Sequence, residues 1–114
     1  MNKVHTSNDF YEQVWDTVKQ IPYGRVTSYG AIARFLGTTR SARMVGYALN
    51  NLGNDDNQNV PAHRVVNRIG LLTGKFHFQS QSMEELLAEE GISVVNNRVQ
   101  NFEIVFWDPE ELLK

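Results

Sequence analysis

Residues 28–49 read SYGAIARFLGTTRSARMVGYAL, and the pattern of this stretch decides the fold. Ser28 is a favoured N-cap residue, and apolar residues recur behind it at helical spacing until Gly37, where the helix should end. Thr38 or Thr39 can cap a second helix. The positions that this second helix should turn inward are Met44, Val45, Ala48 and Leu49. Two short helices joined by a tight turn that contains glycine predict a helix-turn-helix.

The outer face of the second helix should combine arginines with small residues. Its members are Arg40, Ser41, Ala42, Arg43, Gly46 and Tyr47. Small side chains let a helix lie close to a phosphate backbone or a groove, and arginines neutralise phosphate charge there. The face therefore indicates nucleic-acid binding, although similar helix pairs occur in proteins that bind no DNA.

The chain carries a formal net charge of −2, but its charges are unevenly distributed. From Arg25 to Lys75 there are seven basic residues and two acidic ones, whereas the rest of the chain has four basic and eleven acidic residues. A basic middle between acidic flanks is typical of a protein with one anion-facing surface. A solvated, arginine-rich face is the alternative interpretation.

The composition indicates one ordered domain, spanning residues 1–114. A chain of this length buries roughly two thirds of the surface that it exposes when unfolded, and 41% hydrophobic with 21% charged residues is typical of a globular protein. No apolar run approaches the ~20 residues of a membrane span, and the start has no signal-peptide pattern. We therefore expect a cytoplasmic protein with no membrane partner. The lack of cysteine excludes disulfides, thiolate catalysis and cysteine-ligated zinc.

Capping patterns predict a helix on each side of the helix pair. Residues 9–12 have the spacing of a capping box, and the apolar repeat behind them predicts a helix that ends before the IPYG turn at residues 21–24. A second capping box at residues 82–85 opens a helix that Gly91 should close. Between them, residues 65–72 predict a small hairpin.

Residues 92–114 should form a strand-rich tail. A first strand should begin at Ser93. The Asn96-Asn97 pair should form a turn, and a second strand should follow it and continue to Trp107. Pro109 suits the first position of a final helical turn. The predicted fold is mainly α with small β elements.

Residues 60–66, VPAHRVV, place a small residue between a rigid proline and a His-Arg pair. With cysteine in the position of Ala62, this stretch would indicate an activated thiolate, because a neighbouring histidine lowers the pKa of a thiol. In this chain the surroundings of such a site are present without its reactive atom.

Four motifs, in order and with approximately matching spacing, resemble the DNA-binding domain of O6-alkylguanine-DNA alkyltransferases. They are IPYGRVTSYGAIA at residues 21–33, SARMVGYA at 41–48, VPAHRVV at 60–66 and LLAEEG at 86–91. The resemblance covers a core of about residues 8–91 and implies a winged helix-turn-helix DNA-binding domain. Those enzymes carry Pro-Cys-His-Arg where this chain has Pro61-Ala62-His63-Arg64. A short chain with the cysteine replaced resembles the alkyltransferase-like proteins, which bind alkylated guanine without repairing it and pass it to nucleotide excision repair.

The resemblance also implies roles for residues of the helix pair. Tyr29 matches the tyrosine that pushes the 3′ phosphate and helps to rotate the nucleotide out of the duplex. Arg43 matches the arginine that enters the base stack in its place. Beside Ser41, the small residues Ala42 and Gly46 match positions where the helix lies close to the minor groove. Without the resemblance, Tyr29 could be a core aromatic and Arg43 a solvated surface residue.

A pocket for the flipped base is implied around the replaced cysteine. Its expected lining is Pro61, Ala62, Val65, Leu72, Thr73, Gly74 and Lys75. His63 and Glu90 match the pair that drives deprotonation of the cysteine through a water. With no thiol to activate, we expect this pair to hold the shape of the pocket.

Together these features predict a monomeric protein that binds double-stranded DNA containing O6-alkylguanine and flips the damaged base. It should then flag the site to nucleotide excision repair proteins, with no catalytic residue, cofactor or metal. One alternative is a helix-turn-helix regulator that reads the major groove and ignores damage. Another is residual hydrolysis of the lesion by His63 and Glu90 acting on a water.

Overall fold

The computed structural model describes residues 10–37, 41–52, 60–73 and 82–113. The helices are α1 (Phe10–Lys19), α2 (Tyr29–Phe35), α3 (Ala42–Asn50), α4 (Met83–Glu89), α5 (Phe102–Val105) and α6 (Pro109–Leu112). The strands are β1 (Thr27–Ser28), β2 (Val65–Val66), β3 (Val94–Val95) and β4 (Arg98–Val99), and a 3-10 turn spans Ala62–Arg64. The predicted fold class, mainly α with small sheets, is confirmed.

Helices α2 and α3 form the predicted helix-turn-helix. The Ser28 side chain caps α2 by accepting a hydrogen bond from the Ala31 N–H at 3.1 Å. The prediction that Thr38 or Thr39 caps α3 was wrong, because Ser41 is the N-cap and the helix begins only at Ala42. The backbone of Ser41 is extended, with φ −87° and ψ 170°, so helical geometry starts after it. Residues 38–40 lie outside the described part of the chain.

The three helices α1, α2 and α3 enclose the main hydrophobic cluster. Apolar residues at helical spacing on α1, including Val14 and Val18, pack with Ile32 of α2 and Val45 of α3. Trp15 of α1 also donates its indole N–H to the carbonyl oxygen of Ala48 at 2.8 Å. The packing fixes α3 so that its opposite face is left to solvent.

Strand β2 pairs with β1 in parallel, and Thr27 and Ser28 lie opposite Val65 and Val66. The predicted hairpin within residues 65–72 was therefore wrong in its pairing, although a turn does follow β2. Both β2 side chains are fully buried, because Val65 belongs to the main cluster and Val66 to a second cluster. Burial on both faces favours pairing with an interior strand over a solvent-exposed hairpin.

The second cluster lies on the other side of β1 and β2. Its buried members are Val26, Val66, Leu72, Met83, Leu87, Ile92 and Val99. Helix α4 contributes to it and is held by the predicted capping box, in which Ser82 and Glu85 exchange side-chain to backbone hydrogen bonds. Gly91, at φ 84°, ends the helix in the left-handed conformation that favours glycine.

Within the described residues, no helix has the length and apolar character needed to cross a bilayer.

The tail is not strand-rich, which corrects the prediction for residues 92–114. Strands β3 and β4 flank the predicted Asn96-Asn97 turn, with both asparagines at positive φ, but β4 ends at Val99. The chain then forms the helical turns α5 and α6, and Asp108 caps the latter ahead of Pro109 as expected. Long-range contacts override strand propensity here, because the extended segment between these helices pairs with Val26 and buries Trp107 in the main cluster.

Candidate nucleic-acid interface

The outer face of α3 carries the side chains expected to face DNA. Ser41, Ala42 and Arg43 are exposed, Gly46 is half-buried and Tyr47 is 44% exposed. Arg40 lies outside the described residues. Arg43 and Tyr47 are four residues apart and so project from the same side of the helix. Among the described residues, Arg43 has no ion-pair partner.

Tyr29, the first residue of α2, packs against the main cluster close to α3. A Cβ atom built on Gly46 would lie 3.9 Å from Cε1 of the Tyr29 ring, so the two helices approach closely at this point. Burial raises the pKa of Tyr29 above its ordinary value. The hydroxyl therefore stays a neutral hydrogen-bond donor at physiological pH.

Ala62 is the first residue of the 3-10 turn, which directly precedes β2. It is 5% exposed and belongs to the main cluster, against which Tyr29 also packs. Pro61 before it is half-buried and accepts a hydrogen bond from the Arg64 N–H at 2.9 Å. Ala62 and the Tyr29 ring thus share one packed region.

The other residues expected to line the pocket differ in how deeply they are buried. Val65 is fully buried in the main cluster, and Leu72 is buried in the second cluster. Thr73 is exposed. Gly74 and Lys75 lie outside the described residues. The structure therefore packs Tyr29, Ala62 and Val65 together in the main cluster, whereas Leu72 belongs to the second cluster.

The carboxylate of Glu90 joins three distant parts of the chain. His63 Nε2 lies 2.6 Å from its Oε2 atom, and Arg64 Nε donates to the same oxygen at 2.9 Å. The Gly24 N–H donates to Oε1 at 2.7 Å. Arg64 Nη1 also donates to the carbonyl oxygen of Ile21 at 2.7 Å. The 3-10 turn, the IPYG turn and the end of α4 are thereby fastened together.

The surroundings of Glu90 keep its carboxyl ionised. Burial raises the pKa of Glu90, but hydrogen bonds from Arg64, Gly24 and His63, together with the charge of Arg64, outweigh burial and hold that pKa below its ordinary value. The side chains of Glu90 and Arg64 are only 5% and 15% exposed, so this ion pair is largely shielded from solvent. A carboxylate with so many donors is suited to holding the backbone in place.

Sequence reasoning missed Arg64 and Tyr23 as members of this cluster. The Arg64 guanidinium lies 5.8 Å from the centre of the Tyr23 ring, and the Tyr23 hydroxyl donates to the carbonyl oxygen of Glu89 at 2.8 Å. A signal for Arg64 was present, because it directly follows His63 in a motif that was singled out. Nothing local to the sequence indicated that Tyr23 would reach α4.

Comparison with known proteins matches most of the chain to one family. The family model described as the DNA-binding domain of 6-O-methylguanine DNA methyltransferase matches residues 9–92. The match agrees closely with the motif-bearing core of about residues 8–91.

Two curated relatives span most of this chain. Alkyltransferase-like protein 1 of Schizosaccharomyces pombe is 34% identical over 107 residues, covering 90% of this chain and 97% of that protein. The DNA base-flipping protein of Escherichia coli is 39% identical over 94 residues, covering 81% of this chain and 69% of that protein.

A solved structure is similar over the same extent. The crystal structure of S. pombe Atl1 in complex with damaged DNA containing O6-carboxymethylguanine has a TM-score of 0.74 and 33% identity. The similarity covers 90% of this chain and 98% of that one, so it extends over at least part of the tail.

Proposed function

This chain belongs to the family of the 6-O-methylguanine DNA methyltransferase DNA-binding domain, and from that premise we propose that it recognises O6-alkylguanine in duplex DNA without repairing it. It binds the damaged duplex, turns the alkylated base out of the helix and holds it in a pocket beside Ala62. The relatives named for alkyltransferase likeness and for base flipping support this proposal. So does the similarity to a protein solved with O6-carboxymethylguanine DNA.

The observation that carries the proposal is Ala62 within an otherwise intact Pro-x-His-Arg motif, in a chain with no cysteine. Transfer of an alkyl group requires a thiolate sulfur to attack the alkyl carbon and displace the guanine oxygen. A methyl side chain cannot accept the group. Binding therefore ends with the lesion held, and the site works as a receptor.

Extruding a base from duplex DNA costs a few kcal/mol, and this cost is lower where pairing is already weak. An alkylated guanine pairs poorly, so it is extruded more readily than a normal guanine. The exposed Arg43 enters the stack, where its planar guanidinium recovers part of the cost by stacking and hydrogen bonding. Tyr29 contacts the neighbouring phosphate, while Ser41, Ala42 and Gly46 let α3 lie close to the groove.

The proposed pocket lies beside Pro61, Ala62 and Thr73, and the buried Val65 and Leu72 contribute to it only as core residues. Gly74 and Lys75, which the resemblance also implies as lining, lie outside the described residues. An alanine in place of the cysteine leaves more room near the O6 substituent, which favours larger alkyl groups. The cluster of His63, Arg64 and Glu90 has a structural role, since it fixes the 3-10 turn on which Ala62 lies.

A protein that cannot remove the alkyl group must leave that step to another activity. We propose that the monomer flags the lesion for nucleotide excision repair, because excision removes a damaged nucleotide whatever its substituent. Purified excision nuclease assayed with and without this protein tests the step. Faster incision of an O6-alkylguanine duplex supports it, and slower or unchanged incision contradicts it.

The central test is an electrophoretic mobility shift with matched duplexes that contain guanine, O6-methylguanine or a larger O6-alkylguanine at one position. We expect tighter binding to the alkylated duplexes at one salt concentration. Equal affinity for all of them would contradict the proposal. A helix-turn-helix regulator would instead show a preference for sequence and no response to damage.

A second measurement separates binding from chemistry. Mass spectrometry of the protein and of the duplex after prolonged incubation should show both unchanged. A loss of the alkyl group from DNA, with or without its appearance on the protein, would indicate transfer or hydrolysis.

A further inference from the structure

We propose that Arg34 is a second phosphate-binding residue of the DNA interface, and that Glu110 of α6 is a positioning residue that holds the Arg34 side chain over Gly30. The inference rests on the proposed function, in which the neighbouring Tyr29 contacts a DNA phosphate. It gives the tail a part in binding the DNA backbone.

The side chain of Arg34 runs back along α2 toward the beginning of the helix. Its backbone lies in the last turn of α2, yet a Cβ atom built on Gly30 would lie 3.7 Å from Arg34 Nη1. Long side chains on a helix point toward its N-terminus, so this direction is the ordinary one. Gly30 directly follows Tyr29 in the chain. The guanidinium therefore lies beside the residue next to the proposed phosphate contact.

Gly30 leaves room for this guanidinium. Apart from its chain neighbours and its own helix backbone, the built Cβ atom has no other described atom within 4 Å. A methyl group there would be in ordinary contact with Arg34 Nη1, whereas a longer side chain would take its place. The lack of a side chain at position 30 lets the positive charge lie close to the α2 backbone, where a DNA strand that passes Tyr29 can reach it.

Glu110 lies against another edge of the same guanidinium. Arg34 Nε is 3.7 Å from Glu110 Oε1. The carboxylate is placed by the packing of α6 on α2, with Pro109 buried, and by Asp108, which accepts a hydrogen bond from the Glu110 N–H at 3.0 Å. A guanidinium has five N–H donors in a fixed fork. A contact at Nε engages one of them, so the two Nη groups can bind phosphate oxygens.

The ion pair is better suited to orienting Arg34 than to stabilising the fold. The two side chains are 61% and 34% exposed, and exposed pairs contribute little to stability. A long side chain that is already oriented loses less conformational entropy when it binds. Glu110 therefore favours phosphate binding by restricting the rotamers of Arg34.

Methylphosphonate scanning tests the phosphate contact. Each duplex carries O6-methylguanine and one backbone linkage in which a methyl group replaces a charged phosphate oxygen. We expect Arg34→Ala to weaken binding to the unmodified lesion duplex about ten-fold, as for loss of one charge-assisted hydrogen bond. It should also abolish the effect of a methylphosphonate at one linkage, while the linkage contacted by Tyr29 stays sensitive. An unchanged pattern, or an equal loss of sensitivity at every linkage, would overturn the inference.

Lys19→Ala is the matched control for this scan. It removes the cation of another exposed ion pair, Lys19–Asp16 on α1, which has an N–O distance of 4.0 Å. Its affinity and its pattern of sensitive linkages should be those of the wild type. A loss equal to that of Arg34→Ala would show that any surface cation contributes as much, and would overturn the inference.

A double-variant cycle tests the positioning role of Glu110. Glu110→Gln keeps the shape of the side chain and removes its charge, which by itself favours DNA binding. The informative quantity is therefore the effect of Arg34→Ala in each background. The loss should fall from about ten-fold in the wild type to about three-fold in Glu110→Gln, a coupling typical of residues in contact. An equal loss would show that Glu110 does not act on Arg34, and a larger loss that it competes with DNA for Arg34; either would overturn the positioning role.

A side chain at position 30 tests the placement of the guanidinium. Gly30→Leu should displace Arg34 and abolish the effect of a methylphosphonate at the same linkage as Arg34→Ala does. Gly30→Ala should keep that effect, because its methyl group fits at ordinary contact distance. A folded Gly30→Leu that keeps the effect would overturn the placement of Arg34 over Gly30.

Binding to an undamaged duplex keeps this inference separate from the proposed function. Fluorescence anisotropy at several salt concentrations gives the slope of log affinity against log salt. Arg34→Ala should reduce this slope by about 0.9, because one positive charge that neutralises the DNA is removed, and Lys19→Ala should leave it unchanged. An unchanged slope for Arg34→Ala would overturn the inference. If the wild type binds damaged and undamaged duplexes equally, the proposed function fails, and this slope still decides whether Arg34 binds the DNA backbone.

Discussion

The Nε2 atom of His63 lies 2.6 Å from Oε2 of Glu90 in a chain that contains no cysteine for this pair to activate. Glu90 also accepts hydrogen bonds from Arg64 and Gly24. Through these hydrogen bonds, the carboxylate joins the 3-10 turn, the IPYG turn and the end of α4. Its contribution should be measurable as stability and not as catalysis.

Replacing Glu90 with glutamine should destabilise the fold strongly. The change keeps the shape of the side chain but leaves the Arg64 guanidinium, 15% exposed, without its counter-charge. Breaking a largely buried ion pair by removing one partner costs about 3 kcal/mol. Urea denaturation of Glu90→Gln gives this value directly. Glu110→Gln is the matched control, because the Arg34–Glu110 pair is solvent-exposed and should contribute less than about 0.5 kcal/mol.

The same carboxylate should make stability depend on pH in the acid range. The pKa of Glu90 is lower in the folded protein than its ordinary value of 4.5. Its contribution is therefore fully present above about pH 4.5 and is lost as the pH falls through the folded pKa. The difference in unfolding free energy between the wild type and Glu90→Gln should shrink over that range. Glu84→Gln, which removes an exposed carboxyl from the same helix, should keep the wild-type pH dependence, and a constant difference for Glu90→Gln would contradict the assignment.

The local features of the fold were predictable from sequence because neighbouring residues determine them. The Ser28 cap, the capping box at Ser82 and Glu85, the left-handed Gly91 and the Asn96-Asn97 turn all depend on residues within one or two turns of chain. The pairing of β2 and the helical turn α5 were not predictable in this way. Each depends on contacts with residues far away in sequence, such as Thr27 and Val26.

In the candidate site too, the features set by neighbouring residues were predictable and those set by distant contacts were not. The exposed face of α3 follows from helical spacing alone, whereas the pairing of His63 with Glu90 was expected only through the family resemblance. Arg64 was missed although its motif was quoted, because a sequence does not show which of two adjacent polar residues will face a distant carboxylate.

Trp107 should be a main determinant of stability, although it lies near the end of the tail. The residue is 4% exposed in the main cluster, and its backbone N–H donates to the carbonyl oxygen of Val26 at 2.7 Å. Trp107→Ala should cost about 4 kcal/mol, the range for removing a large buried aromatic. Ile104→Ala, at a position 72% exposed, should change the unfolding free energy by less than about 0.5 kcal/mol. Similar values for the two variants in chemical denaturation would show that the tail is not part of the folded core.

Gly46 should tolerate a methyl group but not a larger side chain. A Cβ atom there would be at ordinary contact distance from the Tyr29 ring, 3.9 Å, whereas a leucine side chain would have to displace that ring. Gly46→Ala should therefore keep lesion binding, while Gly46→Leu should lose most of it. Thermal denaturation monitored by circular dichroism checks that both variants remain folded. Unchanged binding by a folded Gly46→Leu would argue against close approach of this face to DNA.

Arg43 should contribute both charge and shape, and two substitutions separate these contributions. Arg43→Ala should weaken binding to an O6-methylguanine duplex by about 30-fold, or ~2 kcal/mol, as part of the extrusion cost is no longer recovered. It should also reduce the slope of log affinity against log salt by about 0.9, because one positive charge that neutralises the DNA is removed. Arg43→Lys keeps the charge and should keep the slope, but its ammonium group cannot stack as a plane. It should therefore lose the 2-aminopurine signal, which is the rise in fluorescence of a 2-aminopurine beside the lesion when the damaged base leaves the stack. Lys19→Ala, which removes an exposed charge from α1, is the control and should leave the lesion affinity and the 2-aminopurine signal unchanged; an equal loss in Arg43→Ala and Lys19→Ala would show that Arg43 acts only through net charge.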